Sequence, residues 1–243
     1  KSSGDARAEL KQAFVTANPF AEKEKLLKPE GPSGFYYSTH ETVQADVARY
    51  LNDTPFDDLL IAGPDGTIFY SYRKGTAFGE NVTTPEWAQS GLATAFELAR
   101  TAAASLTDDN NASASFSGLT TEVATGEASL AFAVPVVRLG GLKSIMLFHV
   151  RNAAILSILD KGHAPGTSLQ STLVNSTGEM FGRNGDGRLV LIGKAPSEDY
   201  ARAIAAPEAQ MTVADSMRGD SQQRSYLRTV TFEGQNFVVS ESL

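Results

Sequence analysis

Apolar residues recur at helical spacing at Leu10, Phe14 and Ala17, and again at Val43, Val47 and Tyr50/Leu51. The pattern predicts a helical N-terminal stretch over about residues 5–30 and a helix over His40–Asn52 with one buried face. Asp58–Ala62 and Thr67–Tyr72 are apolar, aromatic and β-branched, and Pro64-Asp65-Gly66 lies between them, so the pair reads as a hairpin. Thr84 before Pro85 reads as a helix start, carried on through Trp87, Phe96 and Leu98 into the alanine-rich Arg100–Ala104. Leu106–Ser117 is small and polar and reads as loop. From Leu130 to Val137, large residues (Leu130, Phe132, Val134, Val136) alternate with Ala131, Ala133, Pro135 and Val137, as in a central strand packed on both faces. Gly140-Gly141 turns the chain into a further strand, Ser144–Val150. Ile155, Leu156, Ile158 and Leu159 form a short helix, which Gly162–Gly166 breaks.

A shorter cycle follows. Ser171–Asn175, a turn at Ser176-Thr177-Gly178 and Glu179–Arg183 repeat the design of the first hairpin. Ser197–Ala206 is helical, and Tyr226–Thr231 with Asn236–Ser240 form a closing hairpin around Phe232-Glu233-Gly234-Gln235. No strand–helix–strand alternation persists. The expected class is therefore α+β, two modules each with an antiparallel sheet and helices. The expected division is a helical segment over residues 1–30, a module over 31–160 and a smaller one over 161–243.

Composition narrows the classes of function. The 243 residues include no cysteine, which excludes thiolate metal centres, disulfides and cysteine nucleophiles. Lys plus Arg number 21 against 28 Asp plus Glu, a net charge of −7, which argues against a nucleic-acid surface. No run reaches the ~18 apolar residues of a membrane span. Both ends read as cut from a longer, membrane-bound protein, with a mature secreted protein as the alternative.

No catalytic constellation emerges. The three histidines, His40, His149 and His163, form no His-Glu-x-x-His pair, and no Gly-x-Ser-x-Gly or Walker loop is present. Gly182–Gly187 reads as a surface turn, not a calcium loop, because the downstream glutamate is missing. Asp57 and Asp58 point to opposite faces of a strand and cannot share a proton. His40 reads as a hydrogen-bonding residue at a helix start and His149 as a sheet histidine. No metal or cofactor is expected. The best chemical cluster is Tyr70, Tyr72, Arg73 and Lys74, leading to Phe78, with Trp87 beyond and Tyr36 and Tyr37 before the second helix. Rings beside fixed cations make a pocket for a small polar or anionic solute. The same rings could equally fill a half-wet core.

The order of short motifs is more specific than any one of them. Tyr37-x-x-His40, Asp58-Leu-Leu-Ile, Asp65-Gly66-x-Ile68-x-Tyr70-Ser71-x-x-Lys74 and Phe78-Gly79-x-Asn81 resemble the extracytoplasmic double-Cache sensor domains of bacterial chemoreceptors, histidine kinases and nucleotide cyclases. The likeness takes in Asn18-Pro19, Lys23–Leu26, Phe132-Ala133-x-Pro135, Gly141-Leu142, Phe148-x-Val150 and Ile155-Leu156, and covers residues 8–183. Asp57, Gly75 and Ala77 depart from the family pattern. The Arg-x-Trp-Tyr signature of amino-acid-binding members is missing, so no amino-acid ligand is carried over. The resemblance implies two PAS-like modules strung on a long N-terminal helix, flanked by transmembrane helices in the parent protein. It also implies extracytoplasmic, periplasmic sensing of a small molecule without catalysis, and a homodimer in the full-length receptor. A structural or dimerisation module, or a free periplasmic solute-binding protein, is the alternative reading.

Overall fold

The structure, a computed structural model, describes residues 3–108, 112–160, 170–195, 197–208, 210–218 and 221–242. Its elements are α+β, with two separate sheets. The first has five strands: β1 (Asp58–Ala62), β2 (Ile68–Ser71), β3 (Ser115–Thr121), β4 (Ala128–Arg138) and β5 (Gly141–Val150), ordered β2-β1-β5-β4-β3. β1 runs antiparallel to both β2 and β5, and β5 antiparallel to β4. The second has six strands: β6 (Gln170–Val174), β7 (Glu179–Arg183), β8 (Leu189–Lys194), β9 (Met211–Arg218), β10 (Ser221–Phe232) and β11 (Gln235–Ser242), ordered β8-β7-β6-β11-β10-β9. The chain divides into two compact units, residues 1–117 with 130–151, and residues 118–129 with 152–243.

In the first unit the sheet is covered on both faces. Alternation along β1 sends Leu60 and Ala62 to one side and Leu59 and Ile61 to the other. The first side packs under α3 (Gly91–Ala103) through Ala95, Phe96 and Ala99, together with Ala131 and Ala133 of β4. Small residues on β4 let the helix approach closely, while Leu130, Phe132 and Val134 stay half-buried on the far side. The second side packs against α2 (Phe35–Asn52) through Val43, Val47 and Leu51.

Several expectations are modified. α3 begins six residues after Pro85, at Gly91, because Ser90 Oγ accepts the Ala93 amide at 3.1 Å and caps the helix there; Trp87 sits in the preceding turns. The long N-terminal helix is short: α1 (Ser3–Lys11) runs into a single π-helical turn, Gln12–Thr16, and residues 17–33 are irregular apart from a 3-10 turn at Lys23–Lys25. The stretch read as loop ends at β3, whose Ser117 hydroxyl accepts the Ala131 amide at 2.9 Å. β8 and β9 are further strands that the sequence did not announce. The break at Gly162–Gly166 and His163 lie outside the described residues.

The second unit places α4 (Asn152–Asp160) and α5 (Glu198–Ala205) with its sheet. Tyr200 and Ala203 of α5 pack on Val174, Ala214, Leu227 and Val238. Asn152 clips α4 to β8, donating to the Leu189 carbonyl at 2.5 Å and accepting the Leu189 amide at 3.0 Å. The two hairpins read as repeats close identically. Gly63 N donates to Thr67 O and Gly66 N to Gly63 O, both at 2.9 Å; Asn175 N donates to Glu179 O and Gly178 N to Asn175 O, both at 3.0 Å. The glycine-rich Gly182–Gly187 segment holds the same kind of turn, with Asn184 N donating to Arg188 O at 2.9 Å.

Candidate functional site

The end of β2 is shaped by a buried carboxylate. Asp58 accepts Ser71 Oγ at 2.9 Å and the Arg73 amide at 3.0 Å, and Ser71 Oγ in turn accepts the Lys74 amide at 2.8 Å. This peg bends the chain so tightly that Lys74 adopts φ +53°, unusual for a residue with a side chain. Lys74 is 1% exposed; its ammonium donates to the Tyr72 carbonyl at 3.3 Å and lies 6.0 Å from the centre of the Phe14 ring. Burial lowers the Lys74 pKa to about 8, against the raising pull of Asp58 and Glu24. Burial raises the Asp58 pKa to about 6, although its hydrogen bonds from Arg73 and Ser71 favour the anion.

α2 supplies the other half of this polar interior. Gln44, 1% exposed, accepts Tyr70 OH at 3.0 Å and donates to Glu24 O at 2.9 Å and Tyr72 O at 3.0 Å. One amide thus ties together α2, β2 and the segment after the N-terminal helix. His40, one turn earlier and 2% exposed, holds the Leu27 carbonyl through Nδ1 at 2.7 Å. A carbonyl can only accept, so Nδ1 carries the proton; Nε2 is buried without a partner among the described residues. Burial lowers the His40 pKa to about 4, with the Leu27 bond opposing and the Lys74 charge reinforcing. Around these groups lies an aromatic nest in which Phe14 stacks on Tyr37 at 5.8 Å and meets Phe78 edge-on at 5.8 Å.

The structure does not bring the candidate residues to one place. Tyr70 and Tyr72 share a sheet face, as the spacing implied, but that face packs against α2. Trp87 belongs to the cluster on the opposite face, under α3, so it cannot wall a pocket on the tyrosine side. A bulge between Ile61 and Ala62 separates the facing of Tyr70 from that of Ile68. Arg73 is occupied, its Nε donating to Asp57 O at 2.9 Å and its Nη1 to Glu24 Oε1 at 3.3 Å. Phe78 is fully buried in the aromatic nest, where Tyr37 packs against it. His149 meets Asp57 at 2.8 Å, while Asp58 bonds elsewhere, in keeping with their opposite faces.

The first unit carries two hollows among the described residues. A cleft of about 640 Å³ is lined by Lys11, Val15, Lys23, Lys74, Gly75, Thr76, Glu80, Glu86 and Trp87, within the ordinary size of a small-ligand site. Two predicted residues, Lys74 and Trp87, meet there. A wider groove of about 1290 Å³ runs beside α1 along residues 17–33, where Phe20, Pro29, Pro32 and Tyr37 are among the lining residues. Lys11, Lys23, Glu80 and Gln44 were missed by sequence reasoning, and His40 was read as a hydrogen-bonding residue, though at a helix start that the structure puts at Phe35. For Gln44 a signal existed: it stands four residues after His40 on α2, on the flank of that helix's Val43–Val47–Leu51 stripe.

Two α+β units with these sheets have the fold of bacterial extracytoplasmic sensory domains. The chain is similar to the periplasmic sensory domain of the Campylobacter jejuni chemoreceptor Tlp1, with TM-score 0.53, 10% identity, and 99% of this chain and 88% of that one covered. It is similar to the ligand binding domain of the Pseudomonas aeruginosa amino acid chemoreceptor PctB in complex with L-Gln, with TM-score 0.51, 16% identity, and 99% and 88% covered. An extracellular ligand binding receptor from Desulfohalobium retbaense matches with TM-score 0.52 and 13% identity over 99% of this chain but 38% of that longer one. No protein-family model and no curated protein matches the chain.

Proposed function

We propose that the protein is a small-molecule-sensing domain of a transmembrane signalling protein, facing the periplasm, with its first unit as the membrane-distal, ligand-holding module. The observation that carries this reading is the cleft of about 640 Å³, in which the Trp87 ring and three lysines surround a space open to solutes, on a fold otherwise found in receptor ligand-binding domains. Sensing without chemistry fits the groups present: the cleft offers rings, ammonium groups and carboxylates for recognition. A bound solute would bias the arrangement of the segments that line it, among them the α1 end at Lys11 and the loop after β2, and flanking transmembrane helices would carry that bias onward. In the full-length receptor two copies would be held together by those helices.

The reading is tested by thermal denaturation of the domain against amino acids, organic acids, amines and sugars. One class of solute is expected to raise the melting temperature in a saturable manner, because a ligand that binds only the folded state stabilises it by mass action. A flat response across the whole panel contradicts the proposal.

A further inference from the structure

The charges around the cleft are unevenly answered. Five charged residues line it, Lys11, Lys23, Lys74, Glu80 and Glu86, an excess of one positive charge in a protein whose net charge is −7. Lys11 and Glu80 pair with each other, both partly exposed. The other two cations are held by carbonyls alone. Lys23 Nζ donates to Val15 O at 2.9 Å and Asn18 O at 3.0 Å, which fixes the ammonium and leaves its third N–H unspent. Lys74 Nζ donates to Tyr72 O and makes no ion pair among the described residues. Lys74 is buried within the pull of Asp58 and Glu24, whereas partly buried Lys23 is fixed by two carbonyls with an N–H left over, a donor prepared for a negative group that enters the cleft. Val15 and Trp87 add apolar wall beside them.

We infer that the cleft takes an organic anion, a carboxylate on an apolar or aromatic body, whose charged end is held by Lys23 and competes with Glu80 for Lys11 while its body rests on Trp87 and Val15. The inference builds on the sensing proposal and specifies the ligand class. It also gives binding a mechanical consequence. Lys11 is the last residue of α1, and α1 lies so close to the loop carrying Glu80 that a Cβ on Gly79 would stand 3.3 Å from Lys11 Cβ. Exchanging Glu80 for a ligand carboxylate would therefore loosen the link between the N-terminal helix and the loop at the point where the helix passes into its π turn, a geometry often found at functional sites.

Trp87 is the only tryptophan in the chain, so its emission reports this cleft directly. Benzoate, L-malate and citrate are titrated against the domain, with benzamide as the uncharged control, L-glutamine as a zwitterion and benzylamine as a cation. Calorimetry and tryptophan emission are recorded side by side. At least one anion is expected to shift the emission and saturate, with benzamide about tenfold weaker, the loss of a charge-assisted contact. Lys23→Met should weaken that anion about tenfold and Lys23→Arg should restore most of it, whereas Glu80→Gln, by removing the competitor, should tighten it a few-fold. Melting temperatures without ligand check that each variant is folded; opposite signs for Lys23→Met and Glu80→Gln are not produced by a purely structural role. If L-glutamine, benzamide or benzylamine shifts the emission and no anion does, the anion assignment is overturned while sensing stands. Anion binding that calorimetry detects without any change in emission overturns the site. No heat and no emission change with any probe, together with a flat thermal panel, overturns both readings.

Discussion

The hairpins β1–β2 and β6–β7 are closed by the same backbone turn, yet the sheets they belong to bury different chemistry. Every imidazole, carboxylate and ammonium buried among the described residues lies in the first unit: His40, Asp58 and Lys74. Among the described residues the second unit buries Ser129, Asn152, Asn175, Ser225, Thr229 and Ser240, with Thr229 Oγ1 donating to the Ala203 carbonyl at 2.7 Å and Tyr200 sharing a hydrogen bond with Ser240 at 3.0 Å. Neutral bonds of this kind cost little to bury once made, whereas an ionisable group is held inside at a penalty visible in its shifted pKa. The lesson is one of division of labour. The described interior of the second unit is neutral, and the first keeps charge in its interior beside a cleft.

The largest expected difference comes from the polar hubs. Gln44→Ala would leave Tyr70 OH and the Glu24 carbonyl unpaired in the interior and the Tyr72 carbonyl with Lys74 alone, and should cost the first unit about 3 kcal/mol. Thr229→Val in the second unit removes one bond and should cost about 1 kcal/mol. Denaturation followed by amide exchange in each unit checks both; equal losses would erase the distinction.

Acid should act on the first unit through His40. Its ring is neutral in the fold down to about pH 4 but takes up a proton near 6.5 when unfolded. Stability from this group is therefore complete above pH 6.5 and falls as pH drops toward 4, by about 3 kcal/mol over the window. Asp58 works in the other direction: protonated up to about pH 6 in the fold but only to 3.8 unfolded, it lowers stability as pH rises between those values. In wild type the two partly cancel. In His40→Leu the Asp58 slope stands alone, so the variant should gain stability relative to wild type between pH 6.5 and 4.5 in urea titrations. Parallel pH profiles would contradict the account.

The twin turns offer a finer comparison. Gly66 and Gly178 both have positive φ, +87° and +80°. A Cβ on Gly66 would meet Thr83 Cγ2 at 2.6 Å and Asn81 Oδ1 at 2.9 Å, while one on Gly178 meets nothing within 4 Å. Gly178→Ala should cost about 1 kcal/mol of backbone strain and Gly66→Ala about 2 kcal/mol, since it also disturbs the loop that Asn81 ties to Asp65. Melting temperatures of the two variants settle the order. Smallest of all, Tyr200→Phe should cost about 1 kcal/mol or less, because Ser240 is left with its own rotatable hydroxyl.

What was legible in the sequence follows the same division. The hairpins, the β4 alternation and α2 were readable because one local pattern and one burial pattern agreed. β9 was hidden because it inverts the usual order: Met211 and Val213 are exposed, while Ala214 faces α5. The start of β3, Ser115–Ser117, was read as the end of a loop and becomes strand through pairing with β4. At the candidate site, Lys74 and Trp87 were found but grouped with Tyr70 and Tyr72, from which the sheet divides Trp87. Lys11 and Lys23 could not be joined to them from spacing, since only the folding back of the N-terminal segment brings residues 11, 23, 74 and 87 together around one cleft.

The central proposal, that the cleft of the first unit holds the ligand, is most directly tested by amide hydrogen exchange of the domain with and without the anion that shifts the Trp87 emission most. The account predicts slowed exchange over residues 11–25 and 72–87 and an unchanged pattern in β9, β10 and β11. Protection confined to residues 170–242 would contradict it.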